Sequence, residues 1–190
     1  MNILISAVGG QGALLASRII GKLAQNLGLD VKVSEVHGMS QRGGSVVTYV
    51  KFGKKIYSPI VEKGTADVIL AFEMLEGGRY AEFLKKNGTL IISNQRIEPM
   101  PVITGAMEYP ESLEEELSQL PIKLIITDAI ELASKAGNVR STNLVLIGIL
   151  AAISKISKEE WEKAISETVP SSLLEVNLKA FELGYNLKND

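Results

Sequence analysis

The stretch NILISAVGGQG, residues 2–12, decides how this chain is read. Its first seven residues form a short, mostly apolar run, and the run stops at Gly9-Gly10-Gln11-Gly12. An apolar run ending abruptly on glycines is the pattern of a buried strand entering a tight turn. Beyond the turn the period changes. Over residues 13–27, Leu15, Ile19 and Leu23 fall four apart, with Arg18, Lys22 and Gln25 on the opposite, wet face. Gly28 fits as the stop of that helix, and residues 31–36 form the next strand. Strand, glycine turn, helix and strand within forty residues predict a right-handed crossover and a parallel sheet.

The rest of the chain extends this reading. Residues 45–52 alternate as a strand, and Gly53-Lys54-Lys55 reads as a hairpin turn into a further strand at 56–58. Residues 66–72 form a buried strand, 74–86 a helix that Asn87-Gly88 ends, and 89–93 and 122–127 two more strands. Residues 94–120 are the least regular, and Glu114-Glu115-Glu116 within them reads as a solvated helix face. The C-terminal third is helical. Thr127 or Asp128 caps one helix, Ser141 or Thr142 opens a long apolar one, and Ser157-x-x-Glu160 and Ser172-x-x-Glu175 are capping-box patterns for two more. The predicted class is a three-layer, Rossmann-like α/β fold with a mostly parallel sheet, as one domain over residues 1–190.

Composition narrows the function. At 190 residues, 46% hydrophobic and 22% charged, the chain can bury a sizeable core unaided. It has no cysteine, which excludes disulfides, thiolate zinc, a cysteine nucleophile and any cysteine-bound iron–sulfur cluster of its own. A formal charge of −2 without a basic stripe argues against nucleic acid as a partner. The apolar run at 144–153 is about half the ~20 residues that span a bilayer. No basic n-region precedes the first apolar run, so the expectation is a cytoplasmic protein without a membrane segment.

Two segments carry candidate chemistry. The turn Gly9-Gly10-Gln11-Gly12 stands between strand and helix, where unpaired helix N–H groups favour an anion. It is either a phosphate-type binding turn or a turn for close packing, and Ala7 in place of a first glycine weakens the dinucleotide version. The second segment is Glu35-Val36-His37-Gly38-Met39-Ser40-Gln41-Arg42-Gly43-Gly44-Ser45. It is dense in hydrogen-bonding groups and lies beyond the carboxyl end of the second strand, where ligands of open α/β sheets bind. Arg42 suits a phosphate or carboxylate, or else a surface ion pair. His37, the sole histidine, is either a structural hydrogen-bonder or a catalyst. Glu35 could hold a ribose in an NAD-binding dehydrogenase, or simply end an exposed strand. No nucleophile elbow, P-loop lysine or paired histidines occur, so the chain reads as a holder and not a complete catalyst.

Together, Gly9-Gly10-Gln11-Gly12, the 35–45 block, Ser58-Pro59, the run Ala66-Asp67-Val68-Ile69-Leu70-Ala71-Phe72-Glu73 and Asn143 with Gly148 resemble the γ module of 2-oxoacid:ferredoxin oxidoreductases. Within that family the chain is most similar to the small subunit of the indolepyruvate type, over nearly its whole length. The resemblance implies a complex that oxidatively decarboxylates a 2-oxoacid, here an arylpyruvate, passes the acyl group to coenzyme A and reduces ferredoxin. It places thiamine diphosphate, magnesium and the 4Fe-4S clusters in a large partner subunit. It implies no catalytic residue here. By analogy with fused relatives it makes Gly9, Gly10, Gln11, Gly12, Ser40, Gln41, Arg42 and Gly43 the expected contacts of coenzyme A or of the partner. Subunits serving pyruvate, 2-oxoglutarate or branched-chain oxoacids remain alternatives.

Overall fold

A computed structural model describes residues 1–37 and 44–187. The opening run forms strand β1 (Asn2–Val8), whose side chains are almost all buried. The glycine turn feeds helix α1 (Ala13–Asn26). Its C-terminal end is closed by Gly28 at φ 69°, with Gly28 N–H on Gln25 O and Leu29 N–H on Ala24 O, both at 2.9 Å. That is the paired-bond stop a glycine after a helix permits. Strands β2 (Asp30–His37) and β3 (Ser45–Gly53) follow, then β4 (Ala66–Ala71) and helix α2 (Met74–Tyr80). Strand β5 (Leu84–Ser93), the short helices α3 (Met100–Ile103) and α4 (Leu113–Ser118), and strand β6 (Lys123–Thr127) complete the sheet. The chain ends in helices α5 (Ala129–Ala136), α6 (Thr142–Ile153), α7 (Lys158–Ser166) and α8 (Ser171–Asn186).

Among the described residues six strands make one mixed sheet in the order β2-β3-β1-β4-β5-β6. The ladders β1–β4, β4–β5 and β5–β6 are parallel, whereas β3 is antiparallel to both β1 and β2. The first two strands, expected in a parallel sheet, are therefore not neighbours in it. They run the same way, but β3 is inserted between them. A short connection returns β3 antiparallel beside β2, and its other edge meets β1.

Four local expectations are also corrected. No strand forms at 56–58; instead Ile56 N–H donates to the Asp30 carboxylate at 2.8 Å. The helix from Met74 stops at Tyr80, and a 3₁₀ turn at Ala81–Phe83 leads straight into β5. Asn87-Gly88 consequently lies within a strand, as an irregularity where the β4–β5 register shifts and Asn87 takes φ 61°. At the C-terminus α8 starts at Ser171 behind Pro170, without a side-chain cap, so Ser172 opens no capping box. Ser157 does cap α7, accepting from Glu160 N–H at 3.5 Å.

Helices α1, α5, α6, α7 and α8 cover one face of the sheet, and α2 with α4 the other. Helix α6 is buried at every position from Asn143 to Ala151, which explains why its sequence is apolar all round. It meets α8 backbone to backbone. A Cβ added at Gly148 would stand 2.1 Å from Phe181 O, and one at Gly184 would stand 2.0 Å from Val145 O. Only glycine fits at either position.

Candidate functional site

The Gly9–Gly12 turn takes its shape from two left-handed residues, Gly10 at φ 101° and Gly12 at φ 89°. Nothing crowds a Cβ at Gly10, so its backbone conformation alone requires glycine, while at Gly12 a Cβ would also come within 3.0 Å of Asn143 Nδ2. Gln11 clamps the turn. Its Oε1 accepts from Val8 N–H at 2.7 Å, and its Nε2 donates to Phe72 O at 3.1 Å and to Gln95 Oε1 at 2.9 Å. One side chain thus ties β1, the end of β4 and the segment after β5. Both amide hydrogens are committed to protein acceptors, so Gln11 shapes the rim and has no donor left for a ligand.

The turn borders a cavity of about 540 Å³ at the carboxyl ends of the central strands. Gly10, Gln11, Gly12 and Gln95 form one side, and Leu15, Phe72, Ile130 and Val139 give apolar surface. Arg140, Thr142 and Asn143 close it from the start of α6. The N-terminal end of α1, whose first N–H groups have no intrahelical acceptor, opens at the same place.

The second sequence segment reaches this rim at its end. Gly9 N–H donates to Gly44 O at 3.0 Å, and the register sets Val8 opposite Ser45 and His37 opposite Val46. The roots of both predicted turns therefore meet. Ser40, Gln41, Arg42 and Gly43 lie outside the described residues, as does the side chain of His37. Glu35 is not among the cavity's lining residues; its carboxylate accepts from Thr48 Oγ1 at 3.2 Å. With β3 between β1 and β2, Glu35 stands two strand spacings from β1, roughly 10 Å. That is not where a dinucleotide fold, with its second strand beside the first, puts its ribose acid.

Two buried glutamates on α2 and its cap hold the surrounding segments. Glu73, 1% exposed, accepts from Glu76 N–H at 2.9 Å, Ile97 N–H at 3.1 Å and the Tyr109 hydroxyl at 2.9 Å. Burial, and then the bond to this carboxylate, push the Tyr109 hydroxyl far above the usual tyrosine range. The Arg96 guanidinium lies 4.0 Å over the Tyr109 ring. Glu76 is also buried; it accepts from the Ser45 hydroxyl and from Arg79 Nε at 3.2 Å. Ser45 begins β3, so Glu76 fastens the point where the chain re-enters the sheet beside the glycine turn.

The cavity beside the Gly9–Gly12 turn also takes in Gln95, Arg140, Thr142 and Asn143, to which sequence reasoning gave no site role. The available signal was a cationic residue at the opening of a helix whose body is apolar. Among the described residues no group of three or more His, Cys, Asp and Glu could hold a metal ion, and no helix is long and apolar enough to cross a membrane.

Comparison with known proteins gives a consistent result. The family described as pyruvate ferredoxin/flavodoxin oxidoreductase matches residues 2–187. An indolepyruvate oxidoreductase subunit, IorB, of Archaeoglobus fulgidus is 43% identical over 191 residues, covering 98% of this chain and 94% of that protein. The γ subunit of a keto/oxoacid ferredoxin oxidoreductase from Geobacter sulfurreducens superposes with a TM-score of 0.73 at 26% identity, over 97% of this chain and 96% of that one. A 2-oxoglutarate:ferredoxin oxidoreductase from Magnetococcus marinus, solved with 2-oxoglutarate, coenzyme A and succinyl-CoA bound, gives a TM-score of 0.76 at 21% identity. There this whole chain matches 31% of the longer one, a likeness of fold.

Proposed function

We propose, on the premise that this chain belongs to the pyruvate ferredoxin/flavodoxin oxidoreductase family, that it is the small, cluster-free subunit of an indolepyruvate-type complex. Residues 1–190 act as a single γ-type module in the cytoplasm. The complex decarboxylates indolepyruvate and other arylpyruvates, transfers the acyl group to coenzyme A and delivers the electrons to ferredoxin. The observation that carries this reading is the 43% identity, over nearly the full length of both chains, to an indolepyruvate oxidoreductase subunit.

Thiamine diphosphate, magnesium and 4Fe-4S clusters supply decarboxylation and electron transfer from the large partner subunit. This chain has no cysteine with which to hold a cluster of its own. Its own work is to bind and orient. The Gly9, Gly10, Gln11 and Gly12 rim, with Ser40, Gln41, Arg42 and Gly43 of the neighbouring segment, holds coenzyme A or completes the partner's docking face. In support, the cavity opens on the α1 N-terminus, and the fold neighbour of longer chain was solved with coenzyme A. Holding the thiol carrier in a reactive geometry replaces a two-body encounter and lowers the barrier for acyl transfer.

Reconstitution tests this. The chain alone should show no turnover and no NAD binding by calorimetry, and the complex with its large subunit should prefer indolepyruvate over pyruvate, 2-oxoglutarate and branched-chain oxoacids. Turnover by the isolated chain, or a preference for another oxoacid, would remove the corresponding part of the reading.

A further inference from the structure

We propose that Arg140, with Asn143, forms the anion-recognising wall of the cavity opposite the glycine turn, and that its ligand is an organic phosphate ester. The inference rests on the reading of the turn as anion-facing, and it assigns the opposing residues, which lie about 130 positions away in the chain.

Three observations carry it. Arg140 is the sole charged side chain among the described residues that line the cavity, and no carboxylate faces it there. It is exposed, and among the described residues its guanidinium has no ion-pair or stacking partner, unlike Arg79 and Arg96. Asn143, only 2% exposed, spends its Oδ1 on Leu144 N–H at 3.0 Å, and its Nδ2 reaches Gly12 O only at 3.4 Å. That leaves an amide hydrogen without an acceptor in a buried wall, where polar groups are as a rule paired.

Geometry supplies the chemistry. The N-terminal ends of α1 and α6 both border the cavity, so their dipoles add to the Arg140 charge. A planar five-donor fork on one side and backbone N–H groups on the other suit the oxygens of a phosphate. The apolar surface of Leu15, Phe72, Ile130 and Val139 suits the flat or apolar remainder of the same molecule. Arg140 acts here as a positioning residue.

Calorimetric titration of the intact chain tests the assignment with three probes: coenzyme A, adenosine 3′,5′-bisphosphate and adenosine. Arg140→Ala should weaken both phosphate-bearing probes by about tenfold or more and leave adenosine unchanged. Arg140→Lys should recover part of the loss, because it keeps the charge and loses the fork. The melting temperature should not move, since the side chain is exposed and unpartnered. Equal affinities of wild type and Arg140→Ala for the phosphate probes overturn the proposal while leaving coenzyme A binding in place. An Arg140-dependent affinity for the bisphosphate without affinity for coenzyme A upholds the anion wall and overturns the coenzyme A reading instead. Failure of every phosphate probe to bind the wild-type chain overturns both.

Discussion

One face of the sheet is covered by α1, α5, α6, α7 and α8 and packed around a large apolar cluster in which α6 and α8 touch through Gly148 and Gly184. The other face is covered by the short helices α2 and α4, with Val61 and the 3₁₀ turn at Ala81–Phe83 packed beside them, over a smaller cluster, and beside it two buried carboxylates do the fastening. On the first face tolerance is set by shape: an added atom has nowhere to go. On the second it is set by charge satisfaction: a buried carboxylate persists because donors surround it, and those donors persist because of the carboxylate. The difference divides labour at the rim. The shape-limited face presents the fixed walls of the cavity, and the polar face ties down the segments that border it.

The helix pair is the least tolerant point of the shape-limited face. Gly148→Val should cost more than about 4 kcal/mol, enough to abolish folding, because its Cβ meets carbonyl oxygen and not a movable side chain. Circular dichroism and urea titration would measure this; a variant that folds with wild-type stability would show that the two helices are not in backbone contact.

Next in size is Glu73→Ala, which leaves Ile97 N–H, Glu76 N–H and the Tyr109 hydroxyl without their acceptor. We expect a loss of about 2–4 kcal/mol. Hydrogen exchange should rise around residues 94–112 and at the start of α2, with α6 and α8 still protected. Equal loss of protection in α6 and α8 would mean that the two faces form one cooperative unit.

The polar face also responds to pH through Tyr109. Tyr109→Phe should cost about 1–2 kcal/mol at neutral pH. Because the folded hydroxyl titrates above its ordinary value of 10.0, the unfolded chain loses that proton first on raising pH. The stabilisation is complete below about pH 10 and drains away above it, up to the folded pKa. The wild-type protein should therefore lose stability faster than Tyr109→Phe in that alkaline window, as urea midpoints at a series of pH values would reveal. Parallel curves for the two proteins would remove the Glu73–Tyr109 bond from the account.

What the sequence made legible follows from how local each signal is. The unit β1, glycine turn and α1 could be read because the hydrophobic period switches from strand to helix across a few residues. The same holds for the Asp128 and Ser157 caps, where donor and acceptor are three residues apart. The insertion of β3 between β1 and β2 was not legible, because strand order is fixed by pairings between segments tens of residues apart. Asn87-Gly88 misled for a related reason. The dipeptide permits a left-handed backbone, which serves a strand irregularity as well as a helix end, and the burial of Leu84 opposite Ala66 decides between them. At the site the Gly9–Gly12 rim was visible from its own residues. The Arg140 and Asn143 wall became visible only once α6 was packed against the turn.

The inserted strand has one more consequence. Since β2 departs and β3 returns at paired positions, His37 beside Val46, the six residues from 38 to 43 begin and end at neighbouring points of a finished ladder. Both ladders of β3 run up to those flanking points, so the described ends of β2 and β3 are held in register beside the glycine turn. A substituent introduced at Ser45 would therefore stand at a fixed distance from the turn, a built-in ruler for mapping what approaches the rim.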